Sequence, residues 1–173
     1  IFLSAGKSGK LAYFIYDKNA WVSFIEDTLK RFSLAGINVL SDFKVAFIGS
    51  NDPKHTLTKT AECFPKRKRG IFGIQTPFKQ LIKQLEEFRP DILYGYSSVI
   101  ELIAHAQSEG KIKIKPRTIL ISTDKLSSNG YKLIYDMWGI IPFSSYQSTE
   151  GGVVASEPVN RNETLFYWVK KVF

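Results

Sequence analysis

Asp91-Ile92-Leu93-Tyr94-Gly95-Tyr96-Ser97-Ser98-Val99 joins a short apolar run to a helical one, and this junction decides the fold. Residues 91–95 read as a buried strand ending on glycine. Ser97 or Ser98 is then expected to cap a helix from Val99 to about Ser108, closed by Gly110, because a hydroxyl side chain can accept a free N–H of the first turn. The same strand–helix unit recurs on both sides. Upstream, residues 44–49 and 70–75 are strand-like, with a polar crossing through Asp52-Pro53 between them. Thr76-Pro77 opens a helix whose Phe78, Leu81, Ile82, Leu85 and Phe88 form one stripe, ended by Arg89-Pro90. Downstream, residues 118–122 form a strand, and Ser127 or Ser128 starts a helix through Leu133, Ile134, Met137 and Trp138 that stops at Gly139. Residues 140–144 form a strand running into Tyr146-Gln147-Ser148-Thr149-Glu150-Gly151-Gly152.

The N-terminal part adds a strand over residues 11–16 and a long helix. Asp17 is its expected N-cap, Trp21, Ile25, Leu29 and Phe32 recur at helical spacing, and Gly36 is the stop. Residues 164–169 look like a strand that needs a neighbour. Strands alternating with helices of ten or more residues predict an α/β fold, a parallel-rich sheet built from βαβ units with helices on both faces.

Length and composition fit one domain with a sizeable core: 173 residues, of which 44% are hydrophobic and 23% charged. No apolar run is long enough for a membrane span. A single cysteine, Cys63, excludes an internal disulfide, and with two separated histidines it leaves no structural zinc site. A cytoplasmic location is the expectation from this cysteine usage. Lys and Arg number 24 against 16 Asp and Glu, a net charge of +8. That excess permits a polyanionic partner, and Lys66-Arg67-Lys68-Arg69 is its densest run. A solvated loop is the favoured reading of that run, and nucleic acid the disfavoured one. The only methionine is Met137, so the chain is expected to be a piece lacking flanking sequence.

In open α/β sheets ligands sit beyond the carboxyl ends of the strands. Tyr94-Gly95-Tyr96-Ser97, Ser122-Thr123-Asp124 and the segment from Tyr146 to Glu150 all begin at such ends. A further stretch, Ser4-Ala5-Gly6-Lys7-Ser8-Gly9-Lys10, lies between two strand-like segments and combines small residues, two hydroxyls and two ammonium groups. Such a turn can aim successive N–H groups at a phosphate. It is not a Walker P-loop: Ile1 stands where that motif needs a glycine, and a strand rather than a helix follows Ser8.

The two remote segments together resemble adenylate-forming enzymes of the acyl-CoA synthetase-like, AMP-binding superfamily. That family has a loop of the form Ser/Thr-Ser-Gly-Ser/Thr-Ser/Thr-Gly-Lys-Pro between strands and a distant Tyr-Gly-x-Thr-Glu. Ser4 to Leu11 is similar to the first and Tyr146 to Glu150 to the second. Ala5 and Lys7 stand where the pattern has hydroxyl residues, Leu11 where it has Pro, and Gln147 where it has Gly. Pro90 to Ser98 and Glu150 to Ala155 resemble the phenylacetate–coenzyme A ligase branch.

The resemblance implies a single, incomplete AMP-binding core over residues 1–173, with flanking N-terminal sequence and a C-terminal lid domain lying outside it. It implies ATP and Mg²⁺ as cofactors. Ser4, Gly6, Lys7, Ser8, Gly9 and Lys10 would serve the β- and γ-phosphates, Tyr146 and Gln147 the adenine edge, and Ser122, Thr123 and Asp124 its border. Thr149 would bind the α-phosphate and Glu150 the Mg²⁺ as the catalytic pair. Tyr94, Gly95, Tyr96 and Ser97 would line the pocket of a small-molecule carboxylate. The implied reaction is activation of an organic acid to an acyl-adenylate, with the acyl acceptor open between coenzyme A, a carrier protein and none. A non-catalytic scaffold of the same fold is the alternative, and a basic nucleic-acid-binding module a weaker one.

Overall fold

The computed structural model describes residues 2–5, 11–122, 124–149, 152–156 and 167–168. Phe2–Ala5 (β1) and Leu11–Phe14 (β2) pair antiparallel as a separate hairpin, with Ser4 opposite Ala12. Asp17 then caps helix α1 (Lys18–Leu34), its carboxylate accepting the Ala20 N–H at 2.7 Å, and Gly36 follows at a left-handed φ of 77°. The buried face of α1 is Phe24, Asp27, Thr28, Arg31 and Phe32. This face is rotated from the Trp21–Ile25–Leu29 stripe that periodicity suggests, because α1 meets polar groups of the sheet as well as apolar ones.

Seven further strands form one sheet: Val45–Gly49 (β3), Arg69–Gly73 (β4), Ile92–Tyr96 (β5), Thr118–Ser122 (β6), Phe143–Ser148 (β7), Gly152–Ser156 (β8) and Tyr167–Trp168 (β9). Their order is β4-β3-β5-β6-β7-β8-β9, parallel from β4 to β7 and antiparallel from β7 to β9. The late strand expected near residues 164–169 thus finds its neighbour in β8. Helices Thr56–Glu62 (α2), Phe78–Phe88 (α3), Ser97–Ser108 (α4) and Ser128–Trp138 (α5) connect the parallel strands.

The chain steps outward from β3 to β4, then back past β3 to β5 and onward. Right-handed crossovers therefore put α2 on one face and α3, α4 and α5 on the other. Side chains alternate to match. Ala46, Ile48, Leu93, Ile119 and Ile121 pack with Leu81, Leu85, Ile100, Ile103 and Ile134. Val45, Phe47, Ile92, Tyr94 and Leu120 pack with Phe32 of α1 and Leu57 and Ala61 of α2. Both faces are covered, as the near-continuous apolar strands require.

Three details differ from the sequence reading. The polar crossing after Asp52 holds α2, seven residues capped by His55, whose Nδ1 accepts the Leu57 N–H at 3.2 Å. The basic run is not a plain loop. Lys66–Lys68 make one 3₁₀ turn and Arg69 begins β4, donating to the Ala61 and Phe64 carbonyls at 2.8 and 3.0 Å. Lys68 donates to the Ser41 carbonyl and pairs with Asp42, so only Lys66 and Arg67 of the run remain fully exposed. Finally, Tyr146 lies inside β7 and not in the loop beyond it. Among the described residues no helix is long and apolar enough to cross a membrane.

Candidate functional site

Strand order reverses around β3, and the carboxyl ends of β3 and β5 are the usual ligand position in such sheets. Gly49 ends β3 there, and a methyl group on it would lie 2.9 Å from the ring of Tyr96 at the end of β5. Tyr96 is partly buried; burial first, and the nearby Asp124 carboxylate second, push its phenol above the ordinary value.

Asp124 sits just beyond the end of β6 and closes the start of α4. Its Oδ1 accepts the Ser97 N–H at 2.8 Å and its Oδ2 the Ser98 N–H at 3.0 Å, while the Ser97 hydroxyl donates to the Asp124 carbonyl at 2.7 Å. The cap of α4 is therefore a carboxylate 27 positions downstream of Ser97, and neither Ser97 nor Ser98 caps through its own side chain. Burial acts to raise the Asp124 carboxyl, but hydrogen bonds from Ser98 and Ser97 outweigh it and hold the group below its ordinary range. Stability from this carboxylate is present above the unfolded-state value and lost as pH falls through the lower folded-state one. Asp124→Ala is expected to cost about 1 kcal/mol at neutral pH, as loss of a cap does, and to flatten the acid side of the stability profile. Urea denaturation between about pH 3 and pH 7 checks both. An unchanged acid slope would mean the carboxylate does not cap α4.

On the α1 face, Tyr94 is buried and its hydroxyl meets the Gln147 amide, with Nε2 donating to it at 3.1 Å. Gln147 is thereby drawn toward the sheet interior. Its neighbour Tyr146 points outward, 65% exposed, an open aromatic surface beside the carboxyl end of β7. Ser122, at the end of β6, is buried.

The N-terminal hairpin is tied to this edge from outside. The Tyr16 hydroxyl donates to the Thr149 carbonyl, across 133 positions of sequence. Tyr16 packs edge-on to Phe24 at 5.7 Å, Phe24 stacks on Trp21 at 5.2 Å, and Gly152 at the start of β8 brings its backbone against Phe24. A methyl group on Gly152 would lie 3.1 Å from that ring, and its φ of +68° also favours glycine. The turn after β7 is thus clamped by the residues that follow the hairpin. Tyr16 lies five positions after Leu11, the first residue of β2, so extended chain keeps Leu11 within about 17 Å of Tyr16.

Of the site residues expected from sequence, Tyr94, Gly95, Tyr96, Ser97, Ser122, Asp124, Tyr146, Gln147 and Thr149 fall at or near the carboxyl edges of β5, β6 and β7. Ser4 is placed in β1. Gly6, Lys7, Ser8, Gly9, Lys10, Thr123 and Glu150 lie outside the described residues. Among the described residues no group of three or more His, Cys, Asp or Glu side chains is placed to hold a metal ion. Sequence reasoning missed Tyr16 as the clamp and Arg31 as a buried cation. The first is marked in the chain only by a Tyr directly before an N-cap Asp; the second shows only as an arginine beside Phe32 on an amphipathic helix.

No family model and no curated protein matches the chain. Solved structures do. The chain is similar to 2-hydroxyisobutyryl-CoA ligase in complex with 2-HIB-AMP and CoA, at 15% identity over 94% of this chain and 40% of that one, with a TM-score of 0.71. It is similar to the luciferase-like enzyme of the Zophobas morio mealworm at 11% identity, 93% and 37% coverage and a TM-score of 0.67. ATP-bound MatB from Rhodopseudomonas palustris follows at 14% identity, 92% and 31% coverage and a TM-score of 0.62. The chain spans about 40% or less of the length of these proteins. Its mostly parallel α/β sheet has the fold of the adenylate-forming enzyme domain, as the sequence reading expects.

Proposed function

We propose that the chain is the AMP-binding core of an enzyme that uses ATP to activate an organic carboxylate as an acyl-adenylate. The observation that supports this best is the Tyr16–Thr149 bond. It ties the residues following the β1–β2 hairpin to Thr149 at the end of β7, and the acyl-adenylate reading brings these two segments to one nucleotide. The fold likeness points the same way.

In this reading a substrate carboxylate oxygen attacks the α-phosphorus, and the bond to the bridging oxygen breaks so that pyrophosphate leaves. The chain's residues position and neutralise. Ser4, Gly6, Lys7, Ser8, Gly9 and Lys10 hold the β- and γ-phosphates, Thr149 the α-phosphate, and Glu150 a Mg²⁺ that offsets their charge. Tyr146, exposed on β7, stacks on adenine near Ser122, Thr123 and Asp124. Tyr94, Gly95, Tyr96 and Ser97 border the acid. The phenylacetate–coenzyme A ligase branch is the proposed kinship, coenzyme A the proposed acceptor and the cytoplasm the proposed location.

ATP–pyrophosphate exchange by the full-length protein, over a panel of aryl and aliphatic acids, is the test. Acid-dependent exchange is expected with at least one member. No exchange with any acid, alongside retained nucleotide binding, would instead favour a non-catalytic scaffold of this fold.

A further inference from the structure

The two ends of the parallel sheet differ in charge. At the amino ends of the strands lie residues 35–44, 63–68, 89–91, 109–117 and 139–142, which lead into β3, β4, β5, β6 and β7. They hold nine Lys or Arg against three Asp or Glu, +6 of the chain's +8. At the carboxyl ends, beside the candidate site, residues 50–55, 74–77 and 124–127 hold two of each sign. The excess positive charge therefore sits on the edge away from that site. Its longest array is also fixed in place. Lys111, Lys113, Lys115 and Arg117 are exposed and alternate with Ile112, Ile114 and Pro116, which are buried. The Lys113 N–H donates to Glu86 at 2.8 Å, the Ile114 N–H to Gln107 at 3.1 Å, and Trp138 Nε1 to the Ile114 carbonyl at 3.2 Å.

Two large apolar side chains stand among these cations. Leu40 is 90% exposed on the turn before β3. Hydrogen bonds hold that turn: Asn38 Oδ1 accepts the Leu40 N–H at 3.0 Å, and the Asn38 carbonyl accepts the Ser41 hydroxyl at 2.7 Å. The Lys68 ammonium donates to the Ser41 carbonyl at 3.0 Å, which brings the turn beside the basic run. Ile141, 48% exposed, lies two positions before Phe143, which pairs with Leu120 of β6. From the start of β3 to the start of β7 is three strand spacings, about 14 Å, and the segments carrying Arg89, Lys115 and Arg117 lie between. The aromatic residues of this edge, Phe43 and Phe64, are buried and half-buried. A single-stranded nucleic acid, which is gripped by stacking on exposed rings, is poorly served here. Aliphatic tips set among cations fit a partner that is anionic at its face and apolar just beneath.

We propose that the amino edge of the sheet docks on an anionic lipid membrane, with Leu40 and Ile141 entering the headgroup layer and the Lys and Arg side chains meeting lipid phosphates. The protein lies on the bilayer and does not span it, and the carboxyl edge with the candidate site faces the water. The membrane's surface potential decays over about 8–10 Å, so cations add to the attraction only when they share a face, as these do. Docking does not depend on the acid-activating reading.

Vesicle co-sedimentation of the full-length protein is the test. Binding to phosphatidylcholine vesicles containing one third phosphatidylglycerol is expected to exceed binding to phosphatidylcholine alone at least tenfold, and to weaken with added salt. Lys66→Ala with Arg67→Ala should lower the partition coefficient about 25-fold, about fivefold for each cation lost near the surface. Lys54→Ala with Lys125→Ala removes the same charge from the carboxyl edge and should leave the coefficient unchanged. Leu40→Ser should lower it about tenfold at unaltered salt dependence, because only an apolar contact is lost. Single-stranded RNA is titrated in parallel. Equal losses of vesicle and RNA binding in the Lys66/Arg67 variant, with Leu40→Ser affecting neither, would make the edge a general polyanion surface and overturn the proposal. So would no preference for anionic vesicles, no loss in the Lys66/Arg67 variant, or equal losses in the two double variants.

Discussion

Gly95→Ala is expected to destabilise the protein by about 3 kcal/mol or more, because the added methyl group has no room and nothing flexible to displace. Ile48 and Gly95 sit opposite each other in the β3–β5 ladder. A methyl group on Gly95 would lie 1.9 Å from the Ile48 carbonyl oxygen and 2.7 Å from its carbonyl carbon. These are backbone atoms of a central strand held on both sides, by β4 and β5, and no rotamer change can move them aside. The strands would have to part by about 1 Å, which breaks ladder hydrogen bonds and loosens both cores at once. Denaturation followed by tryptophan fluorescence and far-ultraviolet circular dichroism reads the loss. Gly110→Ala is the control: no atom lies within 4 Å of the added methyl, and only its φ of +70° is unfavourable. About 1 kcal/mol is expected there. A Gly95→Ala protein as stable as that control would mean the β3–β5 register is wrong.

Gly95 also shows how far sequence alone reaches. From the chain it reads as a strand-ending glycine near a ligand pocket; the sheet adds a steric reason for it to be glycine. The α/β architecture is legible because strands 45–49, 92–96 and 118–122 are apolar on both faces and helices α1 and α5 carry their own stops, Gly36 and Gly139. Local devices are readable too, such as the Ser127 hydroxyl accepting the Gly130 N–H at 2.8 Å. Helix α2 is not, because Thr-Leu-Thr-Lys-Thr-Ala-Glu offers only Leu57 and Ala61 as an apolar pair among β-branched and charged residues. The cap of α4 is illegible for a different reason. Asp124 reaches it through the fold, and no window around Ser97 contains that carboxylate. Arg31 belongs to the same class: its helix position is ordinary, and only the meeting of α1 with β5 and β7 makes it a buried cation.

Thr149→Val is expected to lower ATP–pyrophosphate exchange by about 10²-fold, the usual consequence of removing one donor that meets charge developing in a transition state. The side chain can be changed cleanly because the fold uses the backbone at this position. Tyr16 holds the Thr149 carbonyl, and Val keeps the β-branched shape, so the turn stays where it is. A loss confined to kcat, with nucleotide KM little altered, would place the hydroxyl on the α-phosphate in the transition state; a rise in KM alone would place it in ground-state binding. Glu150→Gln separates the metal from the hydroxyl. Losing one carboxylate charge should weaken Mg²⁺ binding, so exchange should fall at ordinary Mg²⁺ and recover in part as Mg²⁺ is raised. Thr149→Val should show no such recovery. Wild-type exchange in both variants would detach the turn after β7 from the chemistry, and the clamp by Tyr16 would then be a purely structural tie between the hairpin and the sheet.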